Sequence, residues 1–153
     1  MTPNSQASAS DTPEVVSKRT FPAPPAEVFD AFLDAERLKR WWGPEGFTNR
    51  FERFETWAGG RWTLEMQSPD GSVFRLEKSF VVVDPPRLVV LDHLDPVHGF
   101  RMHMAFDPVD DGRTSLTWTV TFASEEESIR VGDAFLQANE QNFDRLEAEL
   151  RRS

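Results

Sequence analysis

The stretch SEEESIRVGDAFLQANEQNFDRLEAEL, residues 124–150, decides the fold. At about 3.6 residues per turn it reads as one amphipathic helix of about seven turns. Ile129, Leu136, Phe143 and Leu150 recur every seven residues, and Phe135, Ala138 and Leu146 widen that stripe. Glu126, Glu127, Arg130, Glu140, Arg145 and Glu147 mark the opposite side. Ser124 with Glu127 three residues on is a capping-box pattern, and Glu125 and Glu126 suit the positive end of the helix. Arg151 and Arg152 suit its negative end.

Nearly everything before this helix reads as strands. The β-branched Val15, Val16 and Thr20 suggest a first strand over 14–21. Pro25 then opens a short helix running to about Leu33, with Val28, Phe29, Phe32 and Leu33 on its apolar face. Asp34 caps a second short helix that turns Leu38, Trp41 and Trp42 inward and stops at Gly43-Pro44. The segment 47–55 is read as a strand with a bulge. Residues 61–67 alternate cleanly, with Trp62, Leu64 and Met66 on one face. Pro69-Asp70-Gly71 is a tight turn, and 72–83 returns through Phe74, Leu76 and Phe80. Asp84-Pro85-Pro86 breaks the chain before a strand at 87–93. After a loop at 95–99, Phe100, Met102, Met104 and Phe106 make the next inward face. Asp107-Pro108 and Asp110-Asp111-Gly112 are read as the following turn. Leu116, Trp118, Val120 and Phe122 then face inward from the last strand, with threonines outward. Strands joined by short turns form an antiparallel meander, and the terminal helix has the apolar face of that sheet to pack on. The expected class is α+β, a curved sheet around one long helix.

At 153 residues the chain is expected to hold a polar tail at 1–13 and one domain at 14–153. It has no cysteine, which excludes a disulfide framework, thiolate metal ligands and a cysteine nucleophile. A net charge of −9 argues against nucleic acid and anionic membranes as partners. No stretch has the roughly 18 apolar residues of a membrane span, and the N-terminus lacks the pattern of a signal peptide, so a cytoplasmic location is expected. Thirteen Phe, five Trp and no Tyr give area without hydroxyl handles, which predicts a large, dry interior.

Four motifs carry a resemblance in their order and spacing. They are Arg40-Trp41-Trp42-Gly43-Pro44 after a proline-led helix, Gly59-Gly60-Arg61-Trp62 with Met66, Pro69-Asp70-Gly71, and Asp84-Pro85-Pro86-Arg87-Leu88. Together they resemble the family related to the activator of Hsp90 ATPase, within the START and Bet v 1-like (SRPBCC) superfamily. The resemblance covers roughly residues 14 to 150. It implies a helix-grip fold, in which a seven-stranded antiparallel sheet grips the C-terminal helix around a ligand cavity. Two departures stand out: Ala138-Asn139 where members often carry Gly-Trp, and Glu55 where they often carry Asp.

By themselves Trp62, Leu64, Met66, Phe74, Leu76, Met102, Met104, Trp118 and Val120 fit either solid core or cavity wall; the resemblance favours a wall. Adaptable Met side chains suit a pocket for varied apolar shapes. Trp41 and Trp42 either close one end of the core or lid a cavity mouth. On the helix, Leu136 and Phe143 continue the wall. Asn139 between them needs a partner if buried, whether water, a backbone carbonyl or a ligand. His93 is the second candidate polar contact and a weaker candidate acid–base group. His93, His98 and His103 lie five apart, a spacing that matches no zinc motif. By alternation Glu65 and Glu77 face solvent. No phosphate loop and no Gly-x-Ser-x-Gly elbow is present. The function expected is binding of a small, largely hydrophobic molecule between sheet and helix, with no cofactor and no metal. A polyketide cyclase- or dehydratase-like enzyme and a chaperone-associated protein-binding module are the alternatives that the resemblance implies. Pairing of exposed edges into a homodimer stays open.

Overall fold

A computed structural model describes residues 13–95, 99–110 and 112–152. Strand β1 (Glu14–Phe21) is followed by helices α1 (Pro25–Leu33) and α2 (Ala35–Trp41). Six strands come next: β2 (Thr48–Phe54), β3 (Arg61–Gln67), β4 (Val73–Asp84), β5 (Leu88–His93), β6 (Phe100–Asp110) and β7 (Arg113–Phe122). Helix α3 (Glu125–Arg152) ends the described chain. The seven strands form one sheet in the order β1-β7-β6-β5-β4-β3-β2, every neighbouring pair antiparallel. The short helices carry the chain from one edge to the other, and the meander then returns it beside β1. Helix α3 packs on β1, β7, α1 and α2. This is the helix-grip arrangement.

Local chemistry sets the element ends. Ser124 Oγ accepts from the Glu127 N–H at 3.1 Å, the N-cap bond expected of α3. Asp34 caps α2 by accepting from the Glu36 N–H at 2.9 Å. The bulge expected in β2 lies between Phe51 and Arg53. Asp107-Pro108, read from sequence as a turn, lies within β6 instead; a register shift between Pro108 and Asp110 accommodates the proline. The expected tail, apart from Pro13, and the loop position of His98 fall outside the described residues.

Glu55 and Gly60 close a loop on each other. Glu55 N–H donates to Arg61 O at 2.9 Å, and the Glu55 carboxylate accepts from Arg61 N–H and Arg53 Nε, both at 2.8 Å. A Cβ on Gly60 would stand 2.2 Å from Glu55 O. Gly60→Ala is therefore expected to cost about 1–3 kcal/mol, the usual range for forced overpacking, read as a lowered midpoint in urea denaturation. An unchanged midpoint would show that the loop yields freely.

The helix and the sheet meet in a nucleus of rings. Trp118 stacks on Trp42 at 5.5 Å and meets Phe32 at 5.8 Å and Phe143 at 6.1 Å edge-on. Trp41 sits edge-on to Phe32 at 4.7 Å, and its indole N–H donates to Ala31 O at 3.0 Å. Edge-to-face pairs of this kind add to the stabilisation that area burial alone gives.

The apolar stripe expected on α3 is rotated in the structure. Ile129 is 76 % exposed and Leu136 39 % exposed, whereas Gly132, Asn139, Asn142, Phe143, Leu146, Glu149 and Leu150 are buried. The reason is geometric. A seven-residue repeat drifts by about 20° per heptad on a straight helix, so Leu136 and then Ile129 swing progressively off the face defined by Phe143. The margin of the interior also carries a charge. Arg145, expected on the solvent side, reaches under α2 and donates to the carbonyls of Arg40, Trp42, Gly43, Pro44 and Phe47 at 2.8–3.2 Å.

Candidate ligand-binding site

Strand register lays one residue from each of six strands in a row across the sheet: Phe54, Trp62, Lys78, His93, Phe100 and Phe122. Four are aromatic hydrocarbon or indole rings and two in the middle are basic. Lys78 is buried, 3 % exposed, and lies on the inner face because it shares the phase of Leu76 and Phe80 along β4. Its Nζ donates to His93 Nδ1 at 3.1 Å. The ammonium position lies 5.3 Å from the centre of the Phe100 ring, 5.8 Å from Trp42 and 6.0 Å from Trp62. Among the described residues, no ion pair includes Lys78. Rings offer a cation some attraction, but far less than a carboxylate at contact distance in so dry a setting.

Burial therefore pulls the Lys78 amine down from 10.5 to about 7. His93 is pulled down as well, to about 4, first by burial and then by the facing lysine; Asp95 opposes this weakly. Its ring is stacked on Phe100, with centroids 4.6 Å apart and planes 16° apart. At neutral pH the pair is a neutral imidazole accepting from an amine close to half-protonation. The indole N–H groups of Trp62 and Trp118 are buried with no acceptor among the described residues. The interior beside the row thus holds more donors than acceptors.

Two clefts border the row. One of about 340 Å³ is lined by His93, Leu94, Asp95, Phe100, Phe122 and neighbours. The other, of about 230 Å³, lies under the first half of α3 between Phe100, Phe122, Val131 and Phe135. Phe100 and Phe122 line both clefts. Phe135 stands edge-on to each at 5.1 Å. Phe100 and His93, which line the first cleft, are also the residues of that lining that meet the buried amine.

The residues expected to wall a cavity are placed differently from one another. Trp41, Trp42, Trp62, Leu64, Met66, Met102, Met104, Trp118, Val120 and Phe143 are all buried and join one contiguous apolar cluster, with Trp41 and Trp42 closing the core rather than lying over it. Leu76 packs against that cluster from its margin. Phe74 is 47 % exposed and stacks on Phe47 at 6.5 Å, so it is a surface residue near the β3–β4 turn, as Leu136 is on α3. Asn139 faces inward, but its partners are protein groups. Its Nδ2 donates to Ser17 Oγ at 3.4 Å, and its Oδ1 accepts from Asn142 Nδ2 at 3.1 Å. Asn142 Oδ1 in turn accepts from Gly43 N–H at 2.8 Å. This ladder ties β1, α3 and the α2–β2 loop together. It makes Asn139 structural.

His93 is the predicted polar residue that does lie in the row, and Lys78 is the one that sequence reading missed. The alternation of β4 carried the signal, since position 78 falls between Leu76 and Phe80 in the inward phase. His103 points outward opposite Val90, so the β5–β6 hairpin does not bring it to His93. Glu65 and Glu77 lie outside, paired with Arg50 at 2.9 Å and Arg61 at 3.0 Å. Among the described residues, no three His, Cys, Asp or Glu side chains come together as a metal set, and no helix is long and apolar enough to cross a membrane.

The fold and sequence compare with known proteins as follows. The family model described as Activator of Hsp90 ATPase homolog 1-like protein matches residues 22–151. A protein of Arthrobacter aurescens solved in solution is similar at 23 % identity, with a TM-score of 0.84 over 92 % of this chain and 87 % of that one. A Mycobacterium smegmatis protein matches at 24 % identity and 0.80, over 93 % of each chain. One from Nitrosomonas europaea matches at 18 % and 0.82, over 91 % and 94 %. These likenesses are to the fold. No curated protein matches the chain.

Proposed function

The chain belongs to the Activator of Hsp90 ATPase homolog 1-like family, and from that premise we propose that it binds a small, largely apolar molecule bearing an anionic or carbonyl group, received between the sheet and α3 at the aromatic row. The observation that carries this reading is Lys78, a buried amine with rings on three sides and, among the described residues, an imidazole as its one hydrogen-bonded partner. An acceptor on the guest would satisfy it, and the apolar remainder would displace Phe100, Phe122 and Phe135 and join the two clefts. Apolar area would supply most of the affinity, at about 25 cal/mol per Å², and the amine would set orientation. The family's helix-grip fold is consistent with such a guest.

The test is titration with 3-phenylpropanoate, followed by Trp fluorescence, because Trp42 and Trp62 flank the amine. Saturable binding at pH 6.5 is expected, weakened about tenfold in Lys78→Met, the loss of one charge-assisted hydrogen bond. Affinity should fall as pH rises through about 7, because the anion prefers the protonated amine. No saturable signal, or equal affinity for both proteins, would refute the reading.

A further inference from the structure

The same amine can do more than anchor a guest. A lysine that serves only as an ionic anchor gains from a setting that keeps it charged, with a carboxylate or water nearby. Among the described residues, the surroundings of Lys78 do the reverse: three rings at 5.3–6.0 Å, no ion pair, and a single hydrogen bond to a ring nitrogen. That is the arrangement in which an amine keeps its lone pair and acts as a nucleophile toward carbonyl carbon. Resting on the binding reading above, we propose that Lys78 captures an aldehyde or ketone covalently, as an imine on Nζ, with His93 relaying the protons.

The step balances without a redox partner. The neutral Nζ adds to the carbonyl carbon; a C–N bond forms and the carbonyl π electrons move to oxygen. His93 Nδ1, 3.1 Å from Nζ, takes a proton from the nitrogen as it becomes cationic and hands it to the alkoxide oxygen, which leaves a neutral carbinolamine and a neutral imidazole. The imidazole then takes the remaining N–H proton and delivers it to the hydroxyl, the C–O bond breaks, and the electrons left on nitrogen close the C=N bond. The products are one imine and one water. Trp62, the cross-strand neighbour of Lys78 on β3, has a buried indole N–H with no partner among the described residues. A neutral fraction at physiological pH agrees with the lowered value of the amine.

The chain offers a clean internal control, because its lysines are Lys18, Lys39 and Lys78, and the first two are exposed. The protein is incubated at pH 7.5 with 3-phenylpropanal and cyanoborohydride, and labelled peptides are mapped by mass spectrometry. Reductive labelling of Lys78 is expected at least tenfold faster than that of Lys18 or Lys39. In His93→Phe, which keeps a ring on Phe100 but has no proton relay, Lys78 labelling should slow at least tenfold. Labelling of Lys78 no faster than the surface lysines overturns the proposal, and this readout uses the native chain and needs no variant to fold. The two readings separate on the acid: if 3-phenylpropanoate binds and the aldehyde is not captured, only the imine proposal fails. If neither engages the protein, both fail.

Discussion

Glu149→Ala is expected to lose about 3 kcal/mol of folding stability. The carboxylate is 3 % exposed near the end of α3. It accepts from Arg40 Nε at 2.8 Å and Nη2 at 2.7 Å, a two-pronged pair, and from Arg37 Nε at 3.3 Å. Both arginines stand on α2, so this one side chain clamps the last turns of the long helix to the segment that delivers Trp41 and Trp42 into the core. Removing one member of a buried pair typically costs about 3–5 kcal/mol. The low end applies because Arg40 is one-third exposed and can hydrate, while Arg37 keeps Asp30 at 3.0 Å. Against a typical total of about 5–15 kcal/mol, that loss is large. The pH dependence has a definite sign. Burial would raise the carboxyl, but the bonds to Arg40 and Arg37 outweigh it and hold it below its ordinary 4.5. Its contribution is present above about 4.5 and fades as pH falls through the lowered value. Urea denaturation at pH 7 and pH 3 checks both claims. A Glu149→Ala midpoint within error of the wild type at pH 7 would show that the clamp is dispensable.

Lys78→Met should act in the opposite direction and stabilise the fold. The native amine is held at about 7 while the unfolded one returns to 10.5. Between those values the unfolded chain holds the proton and the native chain releases it, so stability rises with pH across that window. Below about 7 both states are charged and the burial penalty is felt in full. At about 1.4 kcal/mol per pKa unit, the penalty is about 4–5 kcal/mol. Methionine matches the length of the stem and carries no charge, so the variant should recover much of this at pH 7 and lose most of the slope between pH 7 and 10. The hydrogen bond to His93 and the ring contacts are forfeited, which trims the gain. The chain has no tyrosine or cysteine to titrate in the same window, and Lys18 and Lys39 are exposed in both proteins. Denaturant midpoints at pH 6, 8 and 10 decide it: parallel curves for the two proteins would mean that the amine is not desolvated in the native state. A residue that costs the fold this much has a use to be sought in function, which is why the binding and capture experiments centre on it.

The elements were legible because their signals are local. Alternation along β3 and β7, proline at the head of α1, Asp34 before α2 and Ser124 before α3 each act within a few residues, and the structure keeps all of them. The bulge in β2 was legible less directly: Phe47, Phe51 and Phe54 also fit a helical spacing, and Gly46 and Gly59-Gly60 on either side weighed against a helix. The site was not. Lys78 lies in the inward phase of its strand, yet a charged residue reads as surface until its neighbours are known. Asn139 reads as a ligand contact until Ser17 and Asn142 are found beside it. The cross-strand row from Phe54 to Phe122 has no trace along the chain, because each member comes from a different strand and only register aligns them.

The amino-acid order by itself therefore determined a meander of strands ending in one long capped helix, because hydrophobic period and turn chemistry are properties of neighbours along the chain. Tertiary structure alone decided which face of that helix is inside, since buried Asn139, Asn142 and Glu149 look polar until their partners are in place. It also decided that an amine and an imidazole share the centre of an aromatic row, because proximity across a sheet is set by register and burial, and neither is written in any one segment.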